Sequence, residues 1–328
     1  MKKSTLYFNI FSPHYVLLSG TVGIFIALAL FIWNYPQKGD TIGQAFVATK
    51  PFLVWVFLFL LLCCLLTTFI LPAWGMLVYL IKNRIYVNDP GQRRIAVLMI
   101  VLQAIFLAVI VSMLLQFTTS SGTVGFNFDA WVPKGHNARM MLMYAFTFLT
   151  VLPALLGMSL IHSGARELFQ KIQDAAGTES ELFPLMDELF FYRSLLQNYL
   201  SISGLIFSMI PITTAGLRAI FIALDASNEQ NFPINNVIIF GLIFTLILLL
   251  IYIPSHVALT ETSRSLRDAL CPLHSLEMLK EDTEHRKLLD DLLQTNLSVT
   301  QNLKTGLIAL APLATSLLSS VLNIKIPL

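Results

Sequence analysis

A run of 31 residues without a charged side chain, residues 51–81, is the feature that most constrains the fold of this chain. About 20 apolar helical residues cross the hydrocarbon core of a bilayer, so a helix of this length must tilt, kink or protrude. Similar runs recur along the 328 residues, and charged residues make up only 12% of the chain, which is about half the share found in soluble domains. The sequence therefore predicts an all-α, polytopic membrane protein.

Six apolar runs predict six transmembrane helices arranged as three hairpins. They cover residues 15–33, 51–81, 95–117, 140–161, 199–224 and 237–253, and the last can continue as helix toward residue 266. A C-terminal apolar helix, residues 305–322, follows, and the sequence leaves open whether it is a seventh span or a pore helix. The expected organisation is a transmembrane domain with cytoplasmic helical extensions over residues 1–260. A cytoplasmic helical segment, residues 261–328, leads to the C-terminal apolar helix.

The distribution of Lys and Arg predicts a cytoplasmic amino terminus. With that orientation the inner segments carry 16 basic residues and the outer loops carry four, and an excess of basic residues marks the cytoplasmic side. Trp33, Tyr35, Trp131 and Phe232 then fall at the outer ends of the spans, where aromatic side chains favour the membrane interface. The expected location is the inner (plasma) membrane of a bacterium, with the lipid bilayer as the surroundings of the chain.

Each predicted hairpin carries a proline near the inner end of its returning helix. These prolines are Pro72, Pro153 and Pro254, and the first two lie in the related sequences LPAWGM and LPALLGM. The pattern predicts three like-oriented hairpins with kinked second helices, which amounts to a weak internal repeat. The prolines are either ordinary features of membrane helices, whose neighbours satisfy the freed carbonyls, or hinges that let the helices splay as a gate requires.

The sequence contains no pattern typical of an enzyme. It lacks a Gly-x-Ser-x-Gly elbow, a His-Glu-x-x-His motif and a P-loop, and no Asp or Glu lies within the six predicted spans. Cys271 and His274 are too few to form a metal site. We therefore expect neither a metal nor a cofactor, and no motif indicates a nucleic-acid partner. His162 and His256 lie near the inner ends of returning helices. They are either ordinary interfacial residues or groups that sense pH or bind an anion.

Arg218 is the one basic residue inside a predicted span. It lies 19 residues after Tyr199, about 28 Å along a helix that starts inside the cell, and so close to the outer interface. It either extends to lipid headgroups or forms the outer mouth of a pore as part of an arginine ring that favours anions.

An uncharged polar stripe follows one face of the C-terminal helix. At 100° per residue, its members fall in one arc of about 140°, and an apolar band on the same face includes Ile308. The candidate pore-lining residues are Thr305, Ile308, Pro312, Thr315, Ser316, Ser319, Ser320 and Asn323. Two interpretations fit. The stripe packs helices closely and bonds across them, or it faces water in a pore whose apolar band closes by dewetting.

Residues 307–324, LIALAPLATSLLSSVLNI, resemble the Ala-Pro-Leu, small-residue helix of the MotA/TolQ/ExbB proton-channel family. This chain has SLLSSV where that family has GLLGTV. The whole layout, with several spans, no catalytic groups and an ordered cytoplasmic part, is similar to the multi-span membrane effectors of bacterial anti-phage systems, which damage the membrane of their own host when signalled.

The function expected from these features is an oligomeric membrane pore or ion channel gated from the cytoplasmic side. The resemblance to anti-phage effectors implies that the chain is a membrane effector of that kind. Its expected partners are further copies of the chain and a gating cytoplasmic protein or nucleotide-type ligand. Two alternatives stay open: a permease subunit for a small solute, and a non-conducting scaffold that docks a partner on its leucine-rich tail.

Overall fold

The computed structural model describes residues 12–33, 36, 39–84, 101, 136–175, 179–272, 279–293, 295 and 299–325. The regular structure in these ranges is helical throughout. The helices are α1 (Pro13–Trp33), α2 (Thr41–Ala48), α3 (Lys50–Arg84), α4 (His136–Asp174), α5 (Glu179–Leu224), the single turn α6 (Asn228–Asn231), α7 (Ile234–Leu270), α8 (Leu279–Leu292) and α9 (Val299–Lys325).

Five of the described helices, α1, α3, α4, α5 and α7, are long and apolar enough to cross a membrane. The chain is therefore a helical, membrane-embedded protein, and these helices correspond to five of the six predicted spans. The third predicted span, residues 95–117, lies outside the described residues except for residue 101. The apolar part of α9, Thr305–Ser320, is shorter, so the seventh span stays a prediction.

The three longest helices extend well beyond the thickness of a bilayer core. α4, α5 and α7 contain 39, 46 and 37 residues, which corresponds to lengths of about 55–70 Å against about 30 Å of hydrocarbon. The prediction that helix continues beyond Pro153 and Pro254 is confirmed. The extensions pack on one another, and Leu168, Leu189 and Leu266 are fully buried among them, so apolar packing holds these ends together outside the spans.

α5 is the central helix of the described bundle, because it packs against α3, α4, α7 and α9. Its contact with α4 explains the glycine of the LPALLGM sequence. The ring of Tyr199 lies where a side chain at Gly157 would stand, and the hydroxyl of Tyr192 lies 2.7 Å from the position of a methyl group added at Gly164. Glycine at these two positions lets the tyrosines pack directly on the α4 backbone.

Hydroxyl groups join α4 to α7 at a seven-residue interval. Ser255 Oγ donates to the carbonyl of Met158 at 2.7 Å, and Thr262 Oγ1 donates to that of Ala165 at 3.0 Å. Both positions advance together, so the two helices run in parallel. A third contact joins the same helices, since His162 Nδ1 lies 3.1 Å from the carbonyl oxygen of Pro254.

α1 packs on α3 through small residues. Thr67 Oγ1 donates to the carbonyl of Ser19 at 2.9 Å, and a methyl group added at Gly23 would come within 2.7 Å of the backbone of Cys64. Close approach of this kind is typical of helices in lipid, where small residues replace the hydrophobic effect as the basis of association.

Candidate functional site: a polar seam between three helices

The polar stripe of α9 faces α5 and α7 of the same chain, and the line of contact among these three helices forms a polar seam. Two glycines permit the close approach. A methyl group at Gly204 would lie 2.8 Å from Ile308 Cγ2, and one at Gly241 would lie 2.6 Å from the carbonyl oxygen of Pro312 and from Ser316 Cβ. The backbones of α5 and α7 therefore touch α9 without intervening side chains at these positions.

Hydrogen bonds cross the seam where Pro312 interrupts the ladder of α9. Leu313 donates its backbone N–H to Thr245 Oγ1 of α7 at 3.1 Å. Thr315 Oγ1 donates to the carbonyl of Ser208 in α5 at 3.3 Å and to that of Pro312 at 3.0 Å. Polar groups thus hold α9 to both neighbours.

The remaining stripe residues lie along the same contact. Pro312, Ser316 and Ser320 are buried, while Thr305, Ile308, Thr315 and Ser319 are half-buried. Asn323 lies within α9, but its side chain is outside the described part of the structure. The hydroxyls of Ser316, Ser319 and Ser320 donate to carbonyls three residues earlier in α9. The oxygen of each hydroxyl can still accept a hydrogen bond.

The opposite face of α9 is apolar and exposed. Leu307 is 63% exposed, Leu310 45% and Leu318 60%. In a membrane this face meets lipid or another protein chain, since leucine is compatible with both.

A cluster of hydrogen-bonding side chains closes one end of the seam. Arg193 of α5 donates from Nη2 to Ser263 Oγ of α7 at 2.6 Å, and it interacts electrostatically with Tyr252 and His256. Tyr252 Oη lies 3.2 Å from His256 Nδ1 and is also hydrogen bonded to Thr305 of α9. This donor cluster joins all three helices of the seam.

Sequence reasoning does not single out Arg193, because it falls in a segment assigned to a helix outside the membrane. The sequence feature that would have identified Arg193 is its spacing from Arg218. The two arginines are 25 residues apart, which is about 37 Å along a helix, and both lie with Gly204 and Ser208 in one arc of about 80°.

Arg218 lies near the other end of α5 and is only 4% exposed. Its Nε donates to the carbonyl of Phe232 at 2.8 Å, and its Nη2 is 3.6 Å from Oε1 of Glu229, a residue whose side chain is 70% exposed. The guanidinium is thus held by the turn between α5 and α7. The structure places it against protein, and its predicted role at a pore mouth stays a prediction.

The candidate hinge prolines lie inside continuous helices, and neighbours serve two of the carbonyls they free. A proline cannot donate to the carbonyl four residues earlier. Tyr15 donates instead to Thr68, four residues before Pro72, at 3.1 Å, and Trp74 Nε1 donates to Leu149, four residues before Pro153, at 2.9 Å. Pro254 is exposed within α7. The hinge role stays a prediction for all three.

A set of ion pairs fastens α8 to the end of α7 nearest the donor cluster. Arg267 donates to Asp290 at 2.8 Å and to Asp268 at 2.9 Å, and Arg286 also pairs with Asp268. Burial alone acts to raise the pKa of Asp290, but hydrogen bonds from Thr295 and Arg267 and the charges of Arg267 and Arg286 outweigh it and lower the pKa. These ion pairs form an ionic latch on α8, the helix that precedes α9 in the chain.

Within the described residues, no group of three or more His, Cys, Asp or Glu side chains is placed to hold a metal ion. Comparison with protein-family models, with curated proteins and with solved structures found no match.

Proposed function

We propose that this chain is a membrane channel whose conducting path follows the polar seam and is closed in the structure. One observation carries the proposal: an uncharged polar stripe of α9 meets α5 and α7 along a line where Gly241 touches Pro312 and Ser316. A small displacement of α9 would admit water between hydroxyl and carbonyl groups, whereas a seam lined by leucine would stay dry.

Gating from the cytoplasmic side is part of the proposal. If the amino terminus lies on the cytoplasmic side of a bacterial plasma membrane, the donor cluster, α8 and its ionic latch all lie in the cytoplasm or at the cytoplasmic membrane interface. α8 precedes α9 in the chain, and the ion pairs that hold it are partly exposed, so a cytoplasmic protein or a nucleotide-type ligand that competes for Arg267 or Arg286 would release α9. An effector that damages the membrane of its host when signalled would work in this way.

The experiment that tests this proposal is a substitution that overpacks the seam. Gly241→Ala adds a methyl group against the backbone of α9, and overpacking of this kind costs about 1–3 kcal/mol. Since about 1.4 kcal/mol corresponds to a tenfold change in an equilibrium, we expect about tenfold more ion flux through proteoliposomes. Gly306→Ala is the matched control, because nothing lies within 4 Å of its added methyl group. Equal flux through the two variants would remove the seam as the path.

A second pair of variants tests the same proposal without overpacking. Ile308 faces Gly204 in the seam, while Leu310 is 45% exposed on the other face. Ile308→Ser should wet the closed seam and raise flux, whereas Leu310→Ser should lower stability without opening the path. Identical behaviour of the two serine variants would make the stripe a packing surface only.

A non-conducting scaffold is the second candidate, favoured by the outer face of α8. Leu288 is 68% exposed and Leu292, one turn later, is 53% exposed, and such a pair is a usual anchor for a partner helix. A scaffold requires that no seam variant conducts ions and that Leu288→Ser abolishes the binding of a partner to α8.

A further inference from the structure

The donor cluster at the Arg193 end of the seam is made of side chains that carry hydrogen-bond donors, and in the structure the hydroxyl of Ser263 donates to the carbonyl of Leu259 at 2.6 Å. A guanidinium carries only donors, and Tyr, Ser, Thr and imidazole groups can each turn a donor toward a negative ligand. Arg193 is half-buried and bonded to the hydroxyl of Ser263 at 2.6 Å. Its charge is therefore less screened than that of an exposed arginine.

The residues that border the seam between Arg193 and Arg218 carry no negative charge. Residues 194–217 of α5, 234–260 of α7 and 305–324 of α9 contain neither Asp nor Glu. Near the Arg218 end, Glu229 faces water with 70% of its side chain exposed, whereas Arg218 is buried. An ion passing along the three helices thus meets a half-buried arginine at one end and a buried arginine at the other, and no acidic residue of these segments lies between them.

We propose that the donor cluster binds a small inorganic anion and that this site makes the seam selective for anions over cations. The occupant is a free ion from solution, because the half-buried Arg193 of α5 donates to Ser263 of α7 and interacts electrostatically with Tyr252 of the same helix. The selectivity rests on the proposed channel function, whereas binding at the cluster does not.

Binding is tested on the purified full chain in a maltoside detergent that has no phosphate group. Replacing sodium gluconate by sodium nitrate at equal ionic strength should raise the unfolding midpoint by roughly 2–4 °C. The rise should vanish in Arg193→Gln, shrink in Tyr252→Phe and persist in Arg193→Lys. Arg264→Gln, an exposed neighbour of Ser263, is the matched control and should keep the full rise.

Equal midpoints in the two salts, or a rise that survives Arg193→Gln, would overturn the site. A rise produced by phosphatidylglycerol and not by nitrate would assign the cluster to a lipid headgroup and would also overturn it.

Selectivity is tested by the reversal potential of the Gly241→Ala variant in a KCl gradient across a planar bilayer. We expect a reversal potential near the equilibrium potential of chloride. It should shift toward the equilibrium potential of potassium when Arg193→Gln is added, and it should not change with Arg264→Gln. A potassium potential in Gly241→Ala itself contradicts anion selectivity. Complete absence of current contradicts the channel function instead, and the nitrate experiment then decides on the anion site by itself.

Discussion

Single side chains from neighbouring helices complete the hydrogen bonding that prolines interrupt. Trp74 serves the carbonyl of Leu149, which Pro153 leaves without its helical donor, and Tyr15 does the same for Thr68 before Pro72. In lipid an unpaired carbonyl has no water to turn to. The proline positions are therefore points where helices are tied together in this structure, and any hinge motion at them must break or carry these bonds.

The bond from Trp74 predicts a measurable coupling with Pro153. Trp74→Phe removes the donor and should lower the free energy of unfolding by about 0.6–1.7 kcal/mol, the range of interhelical hydrogen bonds in membranes. Pro153→Ala restores a backbone N–H for the carbonyl of Leu149, so Trp74→Phe should cost much less in that background. A double-mutant cycle in detergent, followed by denaturant unfolding, measures this coupling. Additive effects of the two changes would show that the indole serves only for packing.

At the scale of elements, α9 is held in two ways that differ in chemistry. Along the seam it is fixed by close packing and neutral hydrogen bonds, which salt and pH leave unchanged. Before its start, α8 is fixed by Arg267, Arg286, Asp268 and Asp290, whose bonds respond to charge and ionic strength. The ionic latch is therefore the element most open to regulation.

Neutralising Asp290 should loosen α8. Asp290→Asn removes the charge that Arg267 meets at 2.8 Å, at a cost of about 1 kcal/mol, which is about a fivefold rise in opening. Amide hydrogen exchange in Leu279–Leu292 should accelerate accordingly. The control is Asp291→Asn, because this neighbouring carboxylate is exposed and should leave exchange unchanged. Equal acceleration in both variants would argue against a specific latch.

The pH dependence of the latch follows from the lowered pKa of Asp290. A carboxyl group with a lowered pKa in the folded chain stabilises it above the pKa of the unfolded chain, about 3.9. That stabilisation is lost as pH falls through the lowered value. Detachment of α8 by this group should thus occur only below about pH 4 and should be absent between pH 5 and 8. Release near neutral pH, measured by the same hydrogen exchange, would point to another group.

At the scale of the whole molecule, the helix directions bear on the predicted topology. α4 and α7 run in parallel, as their paired bonds at Met158 and Ala165 require. The contacts from Cys63 to Met143 and from Trp74 to Leu149 make α3 parallel to α4. α3 therefore ends and α4 begins at opposite ends of the bundle. The predicted third span, residues 95–117, is long enough to connect the two ends.

Cysteine labelling of intact cells tests this topology. An impermeant thiol reagent should label Asn127→Cys, on the predicted outer loop, and should not label Asn88→Cys, on the predicted inner loop, until the membrane is opened. Labelling of position 88 alone would reverse the orientation and move the donor cluster to the outside. Labelling of both positions in intact cells would contradict the prediction that residues 95–117 form a third span.

Assembly is a separate property, because a single chain holds both walls of the seam. The homo-oligomer expected from the sequence stays a prediction, and the mass of the purified chain in detergent tests it. The exposed leucines of α9 are the surface that a second copy would cover. A monomeric mass together with ion flux would show that each chain conducts alone.

The sequence alone predicts the class of the protein, the five long apolar helices found among the described residues, and the polar stripe of α9. These are local properties: charge-free length and a period of 3.6 residues are set by neighbours along one helix. The continuation of helix beyond Pro153 and Pro254 is predictable for the same reason, since the helical pattern of apolar and polar residues continues beyond each proline.

Only the tertiary structure decided what the stripe touches and which arginine lies beside it. Small hydroxyl residues suit both a close helix contact and a wet surface, so the stripe is consistent with both until Gly241 and Gly204 are seen against it. Trp74 finds its carbonyl 75 residues away, and Arg193 finds Ser263 70 residues away. Such pairs depend on how helices are placed in three dimensions, and the periodicity of one helix carries no information about its neighbours.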